Sequence, residues 1–213
     1  MDASPKWRRR KTARPGEIEA AALEVFAAHG FAAAKLEDIA ALAGLSKAAL
    51  YLYFPTKLDL FNAVVSARAA PNLDAIAAAL EAEPVAFADL ATRLLTGIAV
   101  VLEQPQLRAM ARMVIAESRN FPELARLWHD RVVARALTLF TRIIADGQTR
   151  GEVRPGDPRL MAMSMVGPMM MGAIYKDVLE PAGAHTIDLA ALAAEHLATL
   201  KTGMTRTPAE ERP

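Results

Sequence analysis

Residues 31–58 read FAAAKLEDIAALAGLSKAALYLYFPTKL, and the spacing inside this stretch decides the fold. Leu36, Ile39, Ala40 and Ala43 recur at helical intervals, so they form the inward face of a first short helix. Gly44 stands where a tight inter-helix turn needs positive φ, which glycine adopts without steric cost. Ser46 follows as an N-cap, with Leu45 before it and Leu50 at N4 placed for a hydrophobic staple. The next helix, Lys47 to about Tyr53, buries Leu50 and Phe54 and turns Lys47, Ala48, Tyr51 and Leu52 outward. Pro55 stops it. Thr56 then caps a third helix, with Asp59 three residues on in a capping-box arrangement. Two short helices hinged at a glycine make a helix-turn-helix, and the outward face of the second points to duplex DNA.

The chemistry of that face is specific. A helix in the major groove reads bases with its N-terminal half, where Lys47 is able to donate to guanine O6/N7 and Ala48 or Ala49 to touch a thymine methyl. Few long base-reading side chains are present, so specificity is expected to be shared with DNA shape. The charge distribution agrees. Net charge over 213 residues is only +1, yet residues 1–57 hold nine Lys/Arg against six acids, and residues 1–14 alone hold six against one. The stretch 1–14 is expected to be a disordered basic arm that orders on a DNA backbone or minor groove.

From Ala21–Gly30 (AALEVFAAHG) through Asp38–Ala40, Ala43–Gly44, Ser46–Lys47, Leu50–Tyr51, Tyr53–Phe54 and Lys57, the chain resembles the TetR family of transcriptional regulators. Residues 107–130 (LRAMARMVIAESRNFPELARLWHD) resemble the ligand domain of one subgroup of that family. The resemblance implies an all-α homodimer with a three-helix DNA-binding domain. A larger helical domain would bind a small molecule that releases the protein from its operator. It also implies that Tyr51 and Tyr53 donate to phosphates and that Lys57, at a helix N-terminus, binds phosphate. One departure stands out: the position before Leu36, commonly Thr or Ser in the family, is Lys35. Lysine cannot accept the orphan N–H bonds, so that helix start is weaker by about 1 kcal/mol. Lys35 is either a phosphate contact at the groove edge or a solvated side chain.

Composition fits two packed helical units, about nine helices in all. The chain is 53% hydrophobic, much of it alanine, and its leucines and alanines fall at helical spacing. No long uncharged apolar run marks a membrane span, and the basic N-terminus lacks an apolar signal core, so a cytoplasmic protein is expected. Cysteine is absent, which excludes disulfides and thiol catalysis. The four histidines show no metal-binding spacing, and no phosphate loop or nucleophile elbow occurs, so neither an enzyme, a cofactor nor a metal is expected. His29 is read as a C-terminal helix cap.

The domain layout expected is a helix-turn-helix unit at 15–60, a ligand-binding and dimerisation unit at 61–201, and a frayed tail at 202–213. Helices are expected at about 57–80, 85–103, 105–118, from an Asn120/Glu123 cap pair to Asp146, at 157–178 with a kink at Gly167-Pro168, and at 186–200. Gly147, Gly151, Pro155 and Gly156 mark a loop. The last two helices are apolar around much of their girth and so buried on more than one side. By resemblance they pair across a two-fold axis as a four-helix bundle, which predicts a palindromic operator. Methionines crowd residues 161–171, and methionine suits irregular apolar pockets. The ligand-pocket candidates are therefore Met110, Met113, Phe121, Trp128, Met165 and Met169, with Arg112, Glu117 and His129 as polar members, for a small hydrophobic effector. Core or dimer packing is the competing reading of each methionine. Two other functions stay open: a DNA-binding architectural protein without an inducer, and a helical small-molecule-binding protein.

Overall fold

The computed structural model of the protein describes residues 14–68 and 85–205. Most of the expected basic arm, the second half of the 57–80 helix and the end of the tail lie outside the described residues. Among the described residues there are ten α-helices: α1 (Arg14–Ala33), α2 (Leu36–Leu42), α3 (Lys47–Tyr51), α4 (Lys57–Arg68), α5 (Phe87–Leu102), α6 (Pro105–Glu117), α7 (Pro122–Trp128), α8 (Ala134–Thr149), α9 (Pro158–Ile174) and α10 (Leu189–Met204). The chain is all-α, as expected. Wider π-helical turns, His129–Val133 and Tyr175–Leu179, join α7 to α8 and extend α9.

The turn and cap chemistry from Gly44 to Asp59 holds as read. Gly44 has φ 67°, and Ser46 Oγ accepts from Ala49 N at 3.2 Å. Thr56 and Asp59 form a reciprocal box: Thr56 N donates to Asp59 Oδ2 at 3.1 Å and Asp59 N to Thr56 Oγ1 at 3.0 Å. Lys35 gives α2 no side-chain cap. At Gly30 the backbone leaves helical geometry (φ 77°, ψ 175°), so α1 breaks there and ends in one short turn.

Several boundaries differ from the sequence reading. The N-cap before α7 is Phe121, without a side-chain hydrogen bond, so the Asn120/Glu123 pair does not form. Helix α8 runs on through buried Gly147, where an added Cβ would fall 2.8 Å from Val153 Cγ2, so tight packing, not a turn, needs this glycine. Helix α9 carries Pro168 in its interior, as read, and its α-helical part ends at Ile174. Helix α10 starts at Leu189, a little later than the expected 186, with Asp188 as its cap accepting from Ala190 N and Ala191 N. That helix extends to Met204, past the expected start of a frayed tail at 202. Met204 is buried in the core, Arg154 N donates to its carbonyl, and Thr205 bridges to Val153.

Two hydrophobic cores result. One unites α1 to α4 with α6 and α7, around Phe26, Phe61, Met110 and Leu124. The other is built from α5, α8, α9 and α10, around Phe87, Phe140, Met165 and Met169. Packing therefore divides the chain differently from the sequence boundary at 60/61: α6, far along the chain, lies against α1.

Candidate nucleic-acid interface

Helix α3 sits on the surface of the first core. Leu50 is completely buried, which fixes the rotation of the helix and turns the opposite side to solvent. On that side stand Ser46, Lys47, Ala48 and Tyr51, with Lys35 exposed nearby. Leu52, just past the helix, is 86% exposed, the most open of the exposed large apolar side chains described. Ala49 is half-buried, and Tyr53 is half-buried against the core, so its ring packs while Tyr51 faces out. A leucine so exposed contributes little to the core. It suits contact with a base or sugar.

Lys47 Nζ is bonded to the Glu37 carboxylate on α2 and lies 5.9 Å from the centre of the Tyr51 ring. The hydrogen bond holds Glu37 below the ordinary glutamate range and Lys47 above the ordinary lysine range. Both groups are solvent-exposed, so the pair is screened and weak, and a phosphate or guanine competes for the ammonium.

Lys57 departs from its expected role. Its ammonium turns inward and donates to Phe31 O at 2.5 Å, Ala34 O at 3.0 Å and Ala32 O at 3.2 Å, 4.7 Å from the centre of the Phe31 ring. Burial pushes its pKa down, and the charge of Glu117 opposes that shift. An ammonium has three donors, and all three are committed to the end of α1. Lys57 therefore caps α1, the task assigned from sequence to His29, which is exposed.

The candidate ligand residues divide between the two cores and the surface. Met110, Met113, Phe121 and Trp128 belong to the first core or pack against it; Met165 and Met169 are buried in the second. Arg112 is exposed and donates to Asp177 Oδ2 at 2.6 Å, and His129 is exposed beside Asp130 at 2.8 Å. Glu117 accepts from Phe31 N at 3.0 Å and Ala32 N at 2.7 Å, and Phe121 packs edge-on to the Phe31 ring at 5.3 Å. These two hold the turn at the end of α1 in the DNA-binding head. A cleft of about 420 Å³ does exist elsewhere, between the start of α9 and the end of α10, lined by Asp157, Leu160, Met161, Ser164 and Thr199 among others.

The methionine-rich helix resolves into two faces. Met161, Met165 and Met169, four residues apart, point into the second core. Leu160, Met163, Gly167, Met171, Ile174 and Val178 form an open stripe at 3–4–4–3–4 spacing, the periodicity of a helix-pairing seam. Beside it α10 exposes Ala191, Ala194 and Ala198, a small-residue face that lets another helix approach closely.

The fold and this surface define a helix-turn-helix DNA-binding protein with a helical companion domain. Residues 18–64 match the family model of bacterial regulatory proteins of the tetR family, and residues 86–194 match that of the tetracyclin repressor-like C-terminal domain. The chain belongs to the TetR family. It is 33% identical over 141 residues to the HTH-type transcriptional regulator RutR of Escherichia coli, a match spanning 66% of this chain and 58% of that protein's length. Among solved structures, a TetR-family regulator from Mesorhizobium loti superposes with a TM-score of 0.74 at 24% identity, over 93% of this chain and 100% of that one. The transcriptional regulator FadR from Bacillus subtilis, in complex with stearoyl-CoA, superposes with a TM-score of 0.73 at 20% identity, over 88% of this chain and 98% of that one. No helix among the described residues is long and apolar enough to cross a membrane, and no group of three or more His, Cys, Asp or Glu is placed to hold a metal ion.

Proposed function

We propose that this chain is a homodimeric, sequence-specific transcriptional regulator, acting in the cytoplasm as a repressor that a small, largely apolar molecule releases from a palindromic operator. The observation that carries the reading is the solvent-facing side of α3, where Lys47, Ala48 and Tyr51 stand on a helix anchored by buried Leu50, with Leu52 exposed just past its end. Lys47 supplies a donor for guanine or phosphate, Ala48 permits close approach, and Leu52 offers an apolar surface to a thymine methyl. Tyr51 and Lys35 are assigned to the backbone on either side. The open seam on α9 and the alanine face of α10 support a dimer through about 157–178 and 186–200, with large side chains of one copy meeting small ones of the other. An effector with a long apolar portion is supported by the acyl chain of the stearoyl-CoA held by the related fold of FadR.

Fluorescence anisotropy with a duplex selected by the protein tests the reading. Lys47→Glu is expected to weaken binding at least tenfold and to lower the slope of log affinity against log salt by about 1 or more. Unchanged affinity and slope would remove α3 from the interface.

A further inference from the structure

We propose that Glu117 is a positioning residue for DNA recognition: from the end of α6, its carboxylate holds the turn that joins α1 to α2 and so sets the attitude of α2 and α3. Both of its oxygens are used, Oε1 by Phe31 N at 3.0 Å and Oε2 by Ala32 N at 2.7 Å, across a sequence separation of more than 80 residues. These N–H groups lie immediately after Gly30, whose φ of 77° interrupts α1. A Cβ at position 30 would stand 2.3 Å from Glu117 Oε1, so glycine is also what lets the carboxylate approach. On the other side of the same turn Lys57 takes the carbonyls of Phe31, Ala32 and Ala34. An anion from α6 thus holds the turn's donors and a cation from α4 its acceptors.

The turn is anchored by its ring as well. Phe31 stacks on Phe26 at 5.8 Å, meets Phe61 edge-on at 5.9 Å, and is covered by Phe121, which follows α6 in the chain. Helix α2 begins at Leu36 with Lys35 at its N-cap and no side-chain cap bond of its own. Its entry angle is therefore set by the turn before it, and α3 follows through Gly44. A displacement at the end of α6 reaches the DNA-reading helix through this carboxylate. In a dimer, where two heads must match two half-sites, small tilts matter more than in a single head.

The consequence for DNA rests on the dimeric reading above; the clamp does not. The test uses Glu117→Gln and Gly30→Ala in the full chain, with Glu117→Asp as the conservative variant. In the free protein, amide exchange at Phe31 and Ala32 is expected to rise about tenfold or more in the first two, while Ile18, Phe26 and Leu60 keep their protection. With duplexes selected by the wild-type chain, Glu117→Gln is expected to lose about tenfold for the preferred inverted repeat. Its discrimination against spacings altered by one base pair should flatten, a single half-site should be bound as well as by wild type, and Glu117→Asp should restore part of the preference. Unchanged exchange at Phe31 and Ala32 overturns the clamp. Unchanged spacing preference, or equal loss on half-sites and repeats with general loss of protection, overturns the positioning role. A wild-type chain that selects no inverted repeat overturns the dimeric reading, and with it the spacing consequence, while the exchange result still decides the clamp.

Discussion

The two cores of this molecule are organised for opposite ends. The first joins the DNA-reading head to α6 and α7, so the head is built onto its neighbour and shares buried side chains with it, Met110 and Val114 among them. The second, around Phe140, Met165 and Met169, closes on itself and leaves its outer faces apolar and open. The first core fastens the head to its neighbour within one chain; the second leaves open the seam proposed above to meet another copy. The boundary that matters mechanically is therefore the one between the cores, not the one between sequence domains.

Phe61→Ala is expected to have the largest effect on the first core. Phe61 is fully buried between Phe26 and Phe31, and its loss is expected to cost about 3–5 kcal/mol in denaturant unfolding. Amides of α6 should lose protection with those of α1, while α8 and α10 keep theirs. Protection lost in the head alone would show that α6 does not share its core. Next in size is Met171→Asp combined with Ile174→Asp on the open seam. Sedimentation should show the dimer weakened by about 100-fold, near 2.7 kcal/mol, with little change in the melting of the monomer. An unchanged dimer would place the contact elsewhere.

Smaller changes sharpen the picture of the head. Ser46→Ala removes the cap on Ala49 N and should cost about 1 kcal/mol, visible as a lower Tm. Lys35→Thr supplies the missing cap of α2 and should gain up to about 1 kcal/mol; a loss would mean that Lys35 supports the fold. The smallest effect concerns Glu152, held below the ordinary glutamate range first by its hydrogen bond with Arg150 and then by Phe87 N at 2.7 Å. A depressed carboxylate contributes stability that is present above its unfolded pKa and lost as pH falls through the folded one. Glu152→Gln should flatten that acid limb of the stability curve, and an identical limb would show that the contact carries nothing.

The head was legible because its signals are local: Ser46 to Ala49, Thr56 to Asp59 and the glycine at 44 each lie within a few residues of what they organise. Its attachment was not. Glu117 and Phe121 carry no sign in the sequence that they meet Phe31, more than 80 residues earlier. Nor does Lys57 show in the sequence that it reaches carbonyls 23–26 residues back. In α9 the buried and open apolar stripes interleave on one helix, and periodicity alone cannot say which faces a core and which a partner.

The most direct test of the central claim, that α3 reads one half of a two-fold duplex site, is selection by the full chain from a random pool of duplexes. The account predicts enrichment of an inverted repeat with half-site centres about 34 Å apart, or a multiple of that spacing, and loss of the enrichment in Lys47→Glu. A pool that converges on sequences without two-fold symmetry, or that converges equally for Lys47→Glu, would contradict it.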